Sequence, residues 1–263
     1  MAKVALILGK SGDGKTSSII VNKDGSLPFT PEGKLDLSIY TGMSPETTVI
    51  LNCDEKEMPF PAKEIGWEEG KTLFHSTFKV PFVADKVEEY LDNINKGSKI
   101  KAVIIDTING SLNAYEMLSI RKLNYDQWYD NAKDWFRVLS KCNSMRDDLV
   151  IYIFGHVCIN ELGEKVLVTS GKKLEKIHLE SKATIVLHSD VEGGFEGENK
   201  FFFETKKNKS SAKTPIAMFS EFKLPNSLRL VDDRIREYYN IQTVNNLNIT
   251  KWKQKSMKLK LMV

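Results

Sequence analysis

The chain has 263 residues, of which 41% are hydrophobic and 28% charged, with a formal net charge of +3. That balance excludes a disordered or fibrous chain and suffices for one large domain or two small ones. The slight positive excess neither demands nor excludes a nucleic-acid partner, so local charge must decide. No apolar run approaches the ~18 residues that span a bilayer, and the N-terminus enters a strand rather than a signal peptide. Cys53, Cys142 and Cys158 are scattered, with neither a disulfide framework nor metal spacing. A cytoplasmic protein without a membrane partner is expected.

The first element is the apolar run Val4, Ala5, Leu6, Ile7 and Leu8, which stops at Gly9. Gly9-Lys10-Ser11-Gly12-Asp13-Gly14-Lys15-Thr16 then fits G-x-x-x-x-G-K-[ST] at every fixed position. Glycines let backbone N–H groups close around an anion, and the start of a helix adds a favourable dipole. Lys15 can reach the β- and γ-phosphates and the Thr16 hydroxyl can ligate Mg²⁺. Residues 9–17, ending at Ser17, are therefore the candidate ATP site. A glycine turn followed by an exposed lysine is the alternative. A short helix is expected over residues 16–21. Asn22-Lys23-Asp24-Gly25 starts like a guanine-reading motif but has Gly25 where Asp is needed.

Residues 47–53, TTVILNC, read as a buried strand ending in Asp54, Glu55 and Glu57. A carboxylate there faces the ligand crevice of an open α/β sheet and could polarise an attacking water. Residues 59–81 look irregular. Residues 84–96 place Val87, Leu91 and Ile94 on one helical face, with Gly97 as the stop. A strand within 100–107 ends in Asp106, the arrangement of a Walker B carboxylate that holds Mg²⁺. A long amphipathic helix is expected over 123–147, with Trp128, Ala132, Trp135, Phe136, Leu139 and Cys142 as its apolar stripe. Residues 149–154 form the next strand, and His156 beyond it is a candidate γ-phosphate sensor or a satisfied structural histidine.

Residues 157–169 read as a hairpin around Glu161-Leu162-Gly163-Glu164, and 170–181 as a basic segment. Two antiparallel strands, 183–191 and 200–205, precede Lys206-Lys207-Asn208-Lys209. These lysines could complete a neighbour's phosphate site, bind a nucleic-acid backbone, or form a solvated loop. A last helix is expected within 227–239, followed by a tail with Lys251, Lys253, Lys255, Lys258 and Lys260 beside Trp252. Residues 1–236 are expected to form the ATPase domain and 237–263 a basic tail.

This order implies a mostly parallel sheet with helices on both faces and an antiparallel hairpin extension. Catalytic groups would come from several strands at one sheet edge, as in the RecA-like branch of P-loop NTPases. A nucleoside kinase would need an arginine-rich lid, and the arginines here are sparse.

The chain resembles the phage ATP-binding proteins of RecA-like fold that act in single-strand annealing and recombination. The resemblance lies in GKSGDGKT (9–16), SPETTVILNCDEKEMPF (44–60), VIIDTI (103–108), MRDDLVIYIFGH (145–156), SGKKL (170–174), SSAKTPIAMF (210–219) and LPNSLRLVD (224–232). It covers most of residues 1–236. It implies nucleotide and Mg²⁺ binding by Lys15 and Thr16, metal support from Asp106, water activation by Asp54 or Glu55, and γ-phosphate sensing by His156. It also implies that Lys206 or Lys207 reaches a neighbouring subunit's site. Single-stranded DNA, a ring or filament of further copies with ATP at the subunit boundary, and phage single-strand-binding or recombination proteins are the implied partners. Rival readings are a nucleotide-switched module that recruits partners and a helicase or packaging motor.

Overall fold

The computed structural model describes residues 1–119, 125–169, 178–193 and 199–242. The expected basic segment 170–181 falls largely outside them, as do the start of the long helix and the lysine-rich tail. Each apolar run seen in the sequence becomes a strand: β1 Lys3–Leu8, β2 Thr48–Asn52, β4 Ala102–Asp106 and β5 Val150–Gly155. A short β3, Leu73–His75, lies in the stretch expected to be irregular. Helix α1 spans Ala62–Ile65, α2 Ala84–Lys96, α3 Ile108–Ser119, α4 Tyr125–Ser144 and α5 Leu228–Tyr238. The chain between α4 and α5 carries β6 Val157–Ile159, β7 Lys165–Leu167, β8 Ile185–Glu192, β9 Lys200–Glu204 and β10 Lys223–Pro225.

Eight strands form one sheet in the order β10-β9-β8-β1-β5-β4-β2-β3, and β6 and β7 form a separate hairpin. The strands from β8 to β3 run parallel, while β9 and β10 extend the β8 side antiparallel. One strand, β5, separates the strand that enters the glycine loop from the strand that ends in Asp106. That is the RecA-like arrangement of an α/β P-loop fold.

The parallel strands are apolar at nearly every position because both faces are covered. On one face Val4, Leu6, Leu8, Val103, Ile105, Ile151 and Ile153 meet α2, α3 and α4 through Val87, Leu91, Leu112, Trp135 and Leu139. On the other, Ala5, Ile7, Ile104, Tyr152 and Phe154 meet Ile19, Tyr40, Met43, Trp67 and the α5 residues Leu228, Val231 and Ile235. The expected helix after the glycine loop is a single 3₁₀ turn, Ser17–Ile19. Ile20, Tyr40 and Met43 and the α5 residues Leu228, Val231 and Ile235 pack in the same core cluster as Ile19.

Helix α5 is fixed by a buried ion pair. Arg236 is fully buried, and its Nε donates to Asp232 Oδ2 at 2.7 Å. Its Nη1 and Nη2 donate to the carbonyls of Asp148 and Lys101 at 3.1 and 2.7 Å, tying α5 to the starts of β5 and β4. The Tyr152 hydroxyl donates to the remaining Asp232 oxygen at 2.9 Å. Truncating Arg236 would leave a buried carboxylate without its partner. Arg236→Ala is therefore expected to lose about 3–5 kcal/mol in urea denaturation, whereas the exposed Arg234→Ala stays within about 0.5 kcal/mol.

His188 on β8 is fully buried, with Nε2 3.0 Å from Ser211 Oγ and Glu204 directly opposite on β9. Burial, reinforced by the Lys165 ammonium and opposed by Asp190, pushes its imidazole down to about 4. The unfolded histidine takes its proton near its ordinary value of 6.5 and the folded one does not until about 4. Stability therefore falls as pH falls through that window, by up to ~1.4 kcal/mol per pH unit. Burial raises the Glu204 carboxyl, which works in the opposite sense and offsets part of this loss. Asp106, whose buried carboxyl is raised to about 6, opposes the loss as well, so the test is a difference: between pH 6.5 and 4.5 the denaturation midpoint of the wild type should fall relative to that of His188→Gln.

Candidate functional site

The sheet register assembles the site. Leu8 is level with Gly155, and Asn52 is level with Asp106. The glycine loop, His156, Asp54 and Asp106 thus emerge at one edge, the carboxyl ends of the parallel strands. Asp106 is 2% exposed. Its Oδ2 accepts a hydrogen bond from the Thr16 hydroxyl at 2.8 Å, and its buried Oδ1 has no partner. Burial raises its carboxyl to about 6, against the effect of the Thr16 bond.

The loop is folded around its own lysine. Lys15 Nζ donates to the carbonyls of Gly9 and Lys10, both at 2.7 Å, and lies 3.5 Å from His156 Nδ1. Burial lowers its ammonium to about 8, although Asp106, Asp13 and Asp54 all pull the other way. An ammonium can only donate, and Lys15 Nζ faces Nδ1 of His156. Burial and then Lys15 hold the His156 imidazole below its ordinary range, which keeps it neutral. Lys10 N–H donates to Asp13 Oδ2 at 2.6 Å, and Ser17 Oγ lies 3.4 Å from the Gly14 carbonyl. Ser11 and Gly12 are exposed at the tip.

Residues distant in sequence clamp this loop from behind. Ser189 Oγ on β8 donates to the Asp13 carbonyl, and Asn226 Nδ2, just before α5, donates to the Gly14 carbonyl at 2.9 Å. The contact at Gly14 is tight: an added Cβ would stand 2.4 Å from Asn226 Nδ2, at a φ of +83°. At Gly9 a Cβ would stand 2.7 Å from the Ser189 carbonyl oxygen.

The two acidic candidates after β2 part company. Asp54 turns toward β4: its Oδ1 accepts from Thr107 Oγ1 at 2.6 Å, and its Oδ2 from Lys56 Nζ at 2.8 Å. Burial pushes its carboxyl up, but the bonds from Lys56 and Thr107 outweigh this and hold it below the usual carboxylate range. Glu55, at a φ of +53°, turns the other way and accepts from Ser76 Oγ at 3.2 Å. Lys206 does not join the cluster, because its Nζ donates to the Ser220 carbonyl at 2.9 Å. Lys207 pairs with Glu164 at 2.9 Å. Asn109 ties the edge to the β6–β7 hairpin, accepting from His156 N–H at 2.7 Å and donating to the Val168 carbonyl at 2.8 Å.

Lys56, Thr107, Asn109, Ser189 and Asn226 were not among the sequence candidates. Lys56, Thr107 and Asn226 lie inside stretches that carry the resemblance and Asn109 directly follows one, but it is folding that brings Asn109, Ser189 and Asn226 to the loop.

No protein-family model matches the chain, and no curated protein does. Among solved structures, the KaiC-like protein PH0186 from the hyperthermophilic archaeon Pyrococcus horikoshii OT3 is similar at 14% identity, covering 77% of each chain with a TM-score of 0.44. So loose a likeness bears on no residue's role. Among the described residues no helix is long and apolar enough to cross a membrane.

The double clamp on the loop predicts a local effect. Ser189→Ala with Asn226→Ala should leave the protein folded while residues 9–16 exchange their amide protons at least about tenfold faster, read by hydrogen–deuterium exchange. Unchanged exchange in that segment would show that the clamp is idle.

Proposed function

We propose that this chain binds ATP with Mg²⁺ at the glycine loop and hydrolyses it. The observation that carries the reading is the Thr16–Asp106 hydrogen bond, which joins the end of the glycine loop to the end of β4, 90 residues away. The donor set fits the metal: an alcohol and a carboxylate with one unpartnered buried oxygen are hard oxygen ligands. Mg²⁺ takes one or two carboxylates and completes its shell with phosphate and water oxygens. No cluster of three or more His, Cys, Asp or Glu that could hold a metal occurs among the described residues, which suits an ion that arrives with a nucleotide. When bound, the ion would neutralise charge on the β- and γ-phosphates.

On this reading the chain's own groups divide the work. Loop N–H groups and Lys15 hold the phosphates. Asp54, not Glu55, orients the attacking water, because only Asp54 faces Asp106 and Thr107. His156, neutral and against Lys15, senses the terminal phosphate, and Asn109 passes its position to the β6–β7 hairpin.

The finer reading couples hydrolysis to single-stranded DNA in phage recombination or annealing, with copies assembled around ATP. It is supported by the resemblance given above and by the exposed lysines Lys206, Lys207, Lys209 and Lys213, which suit a phosphate backbone. A second reading, a slowly hydrolysing switch that recruits partners, is favoured by one observation. Both Asp54 oxygens are already engaged and its carboxyl is held low, which makes it a weak base.

Phosphate release measured with and without single-stranded DNA tests these readings. Lys15→Ala should lower turnover by at least about 10²-fold. Stimulation by DNA at low salt supports the recombination reading, and retained nucleotide binding without stimulation supports the switch. Turnover that survives Lys15→Ala overturns both.

A further inference from the structure

We infer that Lys56 is the cation that meets the terminal phosphoryl group, supplied in cis from the loop after β2. The inference rests on the ATP reading. Three features of the loop lead to it. Asn52, buried at the end of β2 and level with Asp106, donates its Nδ2 to the Lys56 carbonyl at 2.6 Å and fixes the backbone there. Glu55 adopts a positive φ, so its side chain leaves toward Ser76 while those of Asp54 and Lys56 fold back over the end of β4. The ammonium of Lys56 then rests on Asp54 Oδ2 at 2.8 Å, and the other Asp54 oxygen is held by Thr107, the neighbour of Asp106.

The other candidate cations weighed above sit differently among the described residues. Lys15 is bound within its own loop. Lys206 and Lys207 lie outside the cluster around Asp106, against the Ser220 carbonyl and Glu164, and Arg236 is buried against Asp232 on α5. The field of Lys56, by contrast, reaches Lys15, Asp106 and His156.

The Lys56–Asp54 pair is poised to be remade. The Lys56 side chain is 56% exposed, and a pair so exposed to water is weak. A terminal phosphoryl group offers the ammonium more negative charge than one carboxylate, and the four-carbon stem lets it turn. Lys56 would then stabilise the charge spread over the transferring group without a second subunit. Because ADP lacks that group, Lys56 would also set the preference for ATP over ADP.

Calorimetric binding of ADP and of a non-hydrolysable β,γ-imido ATP analogue, each with Mg²⁺, tests this. In the wild type the analogue should bind more tightly than ADP. Lys56→Ala should lower that preference by about tenfold or more, the scale of one charge-assisted hydrogen bond, with ADP affinity within about twofold. Lys56→Arg should restore most of it, and Asp54→Asn, which frees the ammonium and removes a nearby negative charge, should keep or raise it. A Lys56→Ala protein that melts like the wild type and keeps its preference overturns the inference while leaving ATP binding intact. A wild type that binds neither nucleotide removes the ATP reading and this inference with it.

Discussion

The carboxyl-end edge of the sheet depends on one constraint: the Thr16 hydroxyl must meet the Asp106 carboxylate across an intervening strand. Neither residue can do this alone. Register supplies the geometry, because β5 pairs Gly155 with Leu8 on one side and Ile153 with Ile105 on the other. A slip of one residue would turn Asp106 to the opposite face and end the contact. The apolar side chains on both faces hold that register, since each strand packs one alternate set against α2, α3 and α4 and the other against α5 and residues 19–43. Core packing far from the edge is thus what sets a 2.8 Å hydrogen bond at it.

The loop itself departs from a simple helix-start anion site. One 3₁₀ turn follows it, too short to sum much of a dipole. Its conformation is imposed from outside by Ser189 and Asn226, and from inside by Lys15 bonding its own carbonyls. The antiparallel extension and α5 are therefore part of the edge. Strand β8 brings Ser189 beneath the loop, and the turn into α5 brings Asn226. The buried Arg236–Asp232 pair, at the opposite end of the same helix, holds α5 where Asn226 can reach Gly14.

What was legible in the sequence was local. The glycine loop carries its residues in one run, and the strands after it are unbroken apolar runs. Helix α2 was visible within the same bounds because its period is regular and Gly97 ends it. Helix α3, INGSLNAYEMLS, was missed: its asparagines, glycine and serine blur the period, and it is held by packing against β5 and α4. The three-residue strands β3 and β10 were also missed, since each exists only by pairing with one longer strand. Asp54 and Glu55 could not be separated in sequence. The positive φ that parts them is a property of the folded loop, and glutamate is not a residue that announces it.

The two carboxylates at this edge are driven apart by their surroundings. Burial raises Asp106 to about 6, while Lys56 and Thr107 hold Asp54 below the ordinary range. Such a split is a common sign that paired acids have different tasks. Asp106 is the group short of positive charge, and its Oδ1 is buried without a partner. Asp54 already holds Lys56 and Thr107. A cation arriving at this edge therefore has one favourable address, Asp106 beside Thr16. A ligand rich in negative charge has another, beside Lys15 and Lys56. The two addresses are contiguous, which is the charge pattern that a metal-bound triphosphate carries.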